Sequence, residues 1–254
     1  MKSVKKTLLA LIIPMGIIVS WYLAVRFGNV PEGILPSMSK VWIAFKTNIQ
    51  NGQLTSDILV SLSRVVKGYL VAVILGIVAG SIIGMSKTMK DLLLPVITVI
   101  RQIPIIAWIP LIILWCGIGE ESKVVIIVLA AFFPILVNTE SGIEQTPDGF
   151  LEVGKLYKLN PWQTFVKVYL PHALPQMLVG LRLGLGVSWM AVVASELIAA
   201  TSGIGYRMSD ARSLMRADVV IVCMLVVGLI GVLMDKLIGM IFGMFTPWEK
   251  LKKA

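Results

Sequence analysis

Six apolar stretches run through this chain, at about 7–25, 59–85, 92–116, 124–137, 177–200 and 219–245. A helix needs about 20 apolar residues to cross the hydrocarbon core of a bilayer. Hydrophobic residues make up 57% of the chain and charged residues 15%, where a soluble domain carries about 25% charge. Such a chain places its surface in lipid, which excludes a soluble globular fold. The expected fold is an all-α integral membrane protein, with six transmembrane helices in one domain over residues 1–254. Each helix then satisfies its own backbone hydrogen bonds away from water.

The formal net charge is +9. In a membrane chain this excess reflects lysine and arginine retained on the cytoplasmic side, so the bilayer and not nucleic acid is the expected partner. With the amino terminus inside, the inside segments carry Lys2, Lys5, Lys6, Lys87, Lys90, Lys155, Lys158, Lys167, Lys250, Lys252 and Lys253. The outside segments carry Arg26, Lys40, Lys46, Lys123, Arg207, Arg212 and Arg216. Six spans put both basic termini in the cytoplasm. Trp21, Tyr22 and Arg26 stand where a signal peptide would have its small-residue cleavage site, so the first stretch reads as an uncleaved span. His172 is the single histidine, which excludes a multi-histidine metal centre, and Cys116 and Cys223 make no disulfide framework.

Gly76, Gly80 and Gly84, then Gly180 and Gly184, then Gly239 and Gly243 recur every fourth residue. Small residues at that spacing let helix backbones approach closely in lipid. The run from Gly149 to Lys155 nearly matches a phosphate-binding loop, but Leu156 replaces the required Ser or Thr. No ATP site is expected in this chain.

The polar loop at about 138–176 predicts two short helices. Asn160-Pro161 is a helix start, with Asn as cap and Pro at the first position. Trp162, Phe165, Val166 and Tyr169 then repeat at spacings of three and four, and Pro171 and Pro175 are expected to end the segment. An exposed apolar face of this kind fits a protein partner or the lipid surface.

This loop resembles the coupling loop of permease subunits of binding-protein-dependent ABC importers. Their pattern is Glu-Ala-Ala, three residues, Gly, nine residues, Ile, one residue, Leu-Pro. Here Glu152, Val168, Leu170 and Pro171 match, or nearly match, that pattern, and Trp162-Gln163-Thr164-Phe165 fits its context. Val153 and Gly154 replace the alanines and Lys158 replaces the glycine. A residue with a Cβ disfavours positive φ, so either the turn differs or an ordinary conformation suffices. Ser61-Leu62-Ser63-Arg64 to Gly68, Arg101-Gln102-Ile103-Pro104 with Ala107, Trp108 and Pro110, Phe133-Pro134 to Asn138-Thr139, and Ser195-Glu196-Leu197-Ile198 with Ser202 to Tyr206 are similar to the nitrate, taurine and aliphatic sulfonate branch.

The resemblance implies a type I ABC importer permease fold with cytoplasmic coupling helices, in the bacterial inner membrane. It implies two permease copies, two ATPase subunits carrying ATP and Mg2+, and an extracytoplasmic binding protein. The chain itself holds no cofactor and no metal and catalyses no covalent step. Glu152, Lys158, Trp162, Phe165, Lys167 and Pro171 are the residues expected at the ATPase. Taurine or another alkanesulfonate is the first substrate expectation and nitrate the second; thiamine-precursor and flavin-type solutes stay open.

Arg101 falls inside an apolar stretch, where a charge is a functional candidate, and Pro104 and Pro110 are expected to break the helix beside it. Arg101 is expected either on the translocation path with Gln102, Trp108 and Glu196, or paired with Glu196 to hold two spans together. Arg182 is expected to extend its charged end to the inner interface. Glu120, Glu121 and the loop 201–218 are expected to meet the binding protein or solvent. The rival classes are a secondary transporter or channel, which would need a deep coupling carboxylate, and a membrane enzyme, which would need a cluster of chemical groups.

Overall fold

The structure, a computed structural model, describes residues 2–28 and 30–245, with side chains over 12–28 and 30–243. The described residues form helices α1 (Lys2–Phe27), α2 (Met38–Gln50), α3 (Gln53–Met85), α4 (Lys87–Ile100), α5 (Ile105–Cys116), α6 (Glu120–Glu144), α7 (Asp148–Leu156), α8 (Pro161–Thr164), α9 (Leu170–Ala199), α10 (Ile204–Ser213) and α11 (Ala217–Phe245). The basic tail at Lys250, Lys252 and Lys253 lies outside the described residues.

Glycines set the register of the central helices. Helices α3 and α6 run side by side in the same direction, with Gly68 against Ile127, Gly76 against Ile135, Gly80 against Leu136 and Thr139, and Gly84 against Ile143. A Cβ on Gly80 would lie 2.6 Å from the Leu136 carbonyl oxygen, which no side chain tolerates. Where lipid removes the hydrophobic drive between helices, this close approach supplies the attraction. Helix α9 packs antiparallel on α6, with Gly180 against Asn138 and Gly184 against Ile135. Helix α11 runs antiparallel to α9, and Trp189 Nε1 donates to the Val227 carbonyl at 3.0 Å. The third glycine pair is not of this kind, because the nearest atom to a Cβ on Gly239 is Arg182 Cζ at 3.9 Å.

Because α3 and α6 are parallel, the chain must cross back between them. It crosses in two arms, α4 and α5, bent by 94°. The stretch 92–116 is therefore a broken span and not one helix. Residues 101–104 make the break: Ile103 precedes a proline and is disfavoured in helix, and Pro104 caps the start of α5. Pro95 and Pro110 sit inside the two arms without ending them.

Helices α3 and α6, like α9, extend beyond the apolar pattern. Helix α3 starts at Gln53 instead of 59, and α6 spans Glu120–Glu144 instead of 124–137. Their polar ends are helical because tertiary partners bury them, as with Asp57, Thr139 and Glu140. The loop 138–176 contracts to 145–160. Pro171 and Pro175 do not end a helix, since Pro161–Ala199 is continuous over 39 residues. The residues Phe165–Tyr169 form a π turn, closed by the Leu170 N–H donating to the Phe165 carbonyl. That wider turn accommodates Pro171, which has no N–H to donate and would crowd the carbonyl four residues back. The amphipathic piece read around 40–48 is α2, capped by Ser37.

Candidate functional site

The coupling end is a turn between two helices. Helix α7 ends with the Lys158 N–H on the Lys155 carbonyl at 2.9 Å and the Leu159 N–H on the Gly154 carbonyl at 3.0 Å. These two bonds define a Schellman motif, whose hinge position takes left-handed backbone and favours glycine. Lys158 occupies that position with φ of 51°. The turn is thus the one a glycine would make, carried by a lysine at some cost. Asn160 then caps the next helix. Its Oδ1 accepts from the Gln163 N–H at 2.8 Å, and Gln163 Oε1 accepts from the Asn160 N–H at 3.1 Å, a capping box. Gly154 is buried, and a Cβ there would meet Leu159 and Val168 at 3.6 and 3.7 Å. An alanine would fit, so the departure at Gly154 leaves the packing intact.

Glu152, Lys158, Trp162, Lys167 and Pro171 are all exposed at this end, and Phe165 is half-buried beneath Trp162 with ring centroids 5.8 Å apart. Trp162 is 71% exposed. Beside them lies an open groove of about 640 Å³ lined by Phe150, Val153, Tyr157, Lys167, Pro171 and His172. Glu152, Lys158 and Lys167 have no ion-pair partner among the described residues.

At the opposite end the charges are buried and bonded. Arg64 is 2% exposed and Glu196 1%. Arg64 Nη1 donates to Glu196 Oε1 at 2.7 Å and to the Ser202 carbonyl at 2.8 Å. Its Nη2 donates to Ser202 Oγ at 2.9 Å and to Glu120, and its Nε donates to Glu120 Oε2 at 2.8 Å. All five guanidinium N–H groups thus have acceptors. Ser61 Oγ donates to Glu196 at 2.8 Å. The start of α10 is tied into the same cluster. The Gly203, Ile204 and Gly205 N–H groups donate at 3.0 Å to Asp57, Ser61 and Glu196 respectively. Arg207 of α10 pairs with Asp57 and donates to Gln53 Oε1 at 3.1 Å. Side chains of α3 and α9 therefore satisfy N–H groups that a helix start leaves without intrahelical partners.

The structure does not bring the four expected path residues together. Glu196 pairs with Arg64, not Arg101, because Arg64 lies on α3 opposite it while Arg101 sits at the elbow between α4 and α5. The reading of Arg101 and Glu196 as a pair is corrected accordingly. Arg101 and Gln102 are exposed, and Trp108 is half-buried on α5 against Ile112 and Ile126. Arg182 does not simply extend to an interface, because it forms a two-bond pair with Asp235 of α11, both contacts at 2.5 Å. Glu120, expected at a binding protein or in solvent, is held by Arg64, although its side chain is 63% exposed.

Sequence reading missed Asp57 and Asp235, gave Arg64 no role of its own, and expected Arg207 to meet a binding protein or solvent, where the structure pairs it with Asp57. The signal was present: Asp57, Ser61 and Arg64 recur at helical spacing on one face of an apolar helix, and a charge in such a helix calls for a partner. Asp235 stands inside the stretch 219–245, where its charge alone marked it.

These features coincide with a known family. The model of the binding-protein-dependent transport system inner membrane component matches residues 72–247. The chain belongs to that family. A permease of this kind works with an ATPase and a solute-binding protein in the inner membrane. An Escherichia coli relative, whose name assigns it provisionally to aliphatic sulfonates transport as a permease, is 37% identical over 99% of this chain and 98% of its own length. The nitrate import permease protein of Synechocystis sp. is 36% identical over 76% of this permease and 70% of its own length. The taurine transport system permease protein of Escherichia coli is 34% identical over 86% and 79% respectively. Among solved structures, a chain of the inward-facing MetNI methionine ABC transporter superposes with a TM-score of 0.61 at 18% identity. That match covers 80% of this permease and 97% of that chain, and it gives the fold, that of a type I ABC importer permease.

Proposed function

We propose that this permease imports a small oxyanion-bearing solute, taurine or another alkanesulfonate before nitrate, driven by ATP and Mg2+ on a separate ATPase. The names of the sulfonate, taurine and nitrate relatives support the solute class. The coupling reading is carried by one observation: the Lys158 turn and the Asn160 cap present Trp162 and the adjoining groove to solvent. An ATPase subunit docks there, on Glu152, Lys158, Trp162, Phe165, Lys167 and Pro171. Closure of two ATPase subunits then shifts a pair of permeases between inward-open and outward-open states, as differential binding shifts any two-state element. The coupling end and both termini face the cytoplasm, and the paired copies are identical. Arg101 and Gln102, open at the elbow of the broken span, line the path together with Trp108.

The test is Trp162→Asp. ATPase recovered with the tagged permease from mild detergent falls at least about tenfold, the loss expected when one buried aromatic anchor is removed. The permease's own melting temperature stays unchanged, because Trp162 is exposed. Recovery of ATPase at the wild-type ratio would refute the docking assignment, and absence of any ATPase from the wild-type preparation would favour a transporter without one.

A further inference from the structure

The pair Arg182–Asp235 has no place in the coupling end or in the buried cluster around Glu196. It joins α9 to α11 within the apolar stretches 177–200 and 219–245. Glu196 lies 14 residues further along α9 and Leu170 lies 12 residues back, or about 21 and 18 Å at 1.5 Å per residue. Yet the pair is open: the two side chains are 50% and 52% exposed. Charges at such depth face a water-filled cavity or the bundle interior and not lipid. Arg182 uses only two of its five N–H groups, and both go to Asp235. Arg64, by contrast, has every donor satisfied.

A cavity of about 200 Å³ adjoins the pair, lined by Arg182, Gly186, Trp189, Met190, Met234 and Asp235. The Trp189 ring is fixed there by its bond to the Val227 carbonyl. A Cβ on Gly186 would meet nothing within 4 Å, so that glycine leaves space. At about 30 Å³ per water-sized unit the cavity holds a solute of roughly seven non-hydrogen atoms.

We propose that this pair and its cavity recognise the solute on the translocation path, and that the solute is a small zwitterion. Its anionic group takes the free N–H groups of Arg182, and its cationic group takes Asp235. The apolar walls of Trp189, Met190 and Met234 cover the short carbon spine between them. A bare anion is a poorer match, because the Asp235 carboxylate already neutralises the guanidinium and repels a second negative charge. The proposal rests on the reading above that this permease carries a small oxyanion-bearing solute, and within that class it selects aminosulfonates such as taurine over nitrate.

The test uses the permease–ATPase complex with its binding protein in liposomes, and compares taurine, ethanesulfonate and nitrate. Ratios of variant to wild type cancel the binding protein's own preference. Asp235→Asn lowers taurine uptake about tenfold, the effect of losing one charged hydrogen bond, and raises ethanesulfonate uptake, because the carboxylate that repels a bare anion is gone. Arg182→Gln lowers uptake of both sulfonates. In a Cys116→Ser background, Gly186→Cys reacts with a charged, membrane-impermeant thiol reagent, and taurine slows the reaction. Three results would overturn the proposal: no labelling of Gly186→Cys, equal effects of Asp235→Asn on taurine and ethanesulfonate, or full uptake when the charges are exchanged as Arg182→Asp with Asp235→Arg. Wild-type liposomes that take up none of the three solutes would refute the solute class itself, and this assignment with it. Wild-type taurine uptake together with unaffected single variants would refute only the role of the pair.

Discussion

Arg64 and Lys158 sit at opposite ends of this permease and show two uses of a cation. At the Glu196 end, Arg64 is buried and places five N–H groups on Glu196, Glu120 and Ser202. At the coupling end, Lys158 is exposed, holds a left-handed turn and has no ion-pair partner among the described residues. The first arrangement joins α3, α6, α9 and α10 into one unit. The second leaves a surface with its apolar and charged groups uncommitted. Lipid enforces the difference, since a charge within the bundle needs a partner while a charge on a loop is solvated. One end thus holds its own chain together, and the other is free to hold a different one.

Removing the buried cation is the strongest way to break this contrast. Arg64→Met leaves Glu196 buried without its ion partner, which costs about 3–5 kcal/mol and lowers the melting temperature of the purified permease sharply. The paired change Arg64→Met with Glu196→Leu recovers most of that loss if the cost lies in the stranded charge. At the coupling end the effects are local. Asn160→Ala removes the capping box and costs about 1 kcal/mol; a greater loss would mean that the turn supports the bundle. Lys158→Gly relieves left-handed strain and stabilises by about 1 kcal/mol, while loss of the ammonium group lowers ATPase recovery. Unchanged ATPase recovery in that variant would remove the lysine side chain from the docking surface and leave it only the turn. The smallest change sharpens the contrast within one cluster. Glu120→Gln removes the exposed arm of the Arg64 network and costs under about 1 kcal/mol, as thermal melting in detergent would measure.

Helix content, membrane class and the helix start at Asn160-Pro161 were legible in the sequence because each rests on local rules, whereas the left-handed turn at Lys158 was not. Apolar runs declare spans, Asn160-Pro161 declares a helix start, and fourfold glycine spacing declares close packing. Local rules failed where partners are distant. Residues 53–58 and 138–144 read as loop, yet they are helical because the opposing helices bury their polar groups. Pro171 read as a stop, yet the π turn lets the helix continue into α9.

By itself, the sequence determined that the chain lives in lipid and which stretches form its apolar helices and the capped turn at Asn160, because hydropathy, capping and periodicity are properties of neighbouring residues. Only the tertiary structure decided that Glu196 belongs to Arg64, that Arg182 belongs to Asp235, and that the third span bends by 94° at its break. The physical reason is that a charge in the membrane takes whichever partner the packing of helices brings within bonding distance. That packing brings Ser61 and Glu196 together from 135 residues apart in the chain.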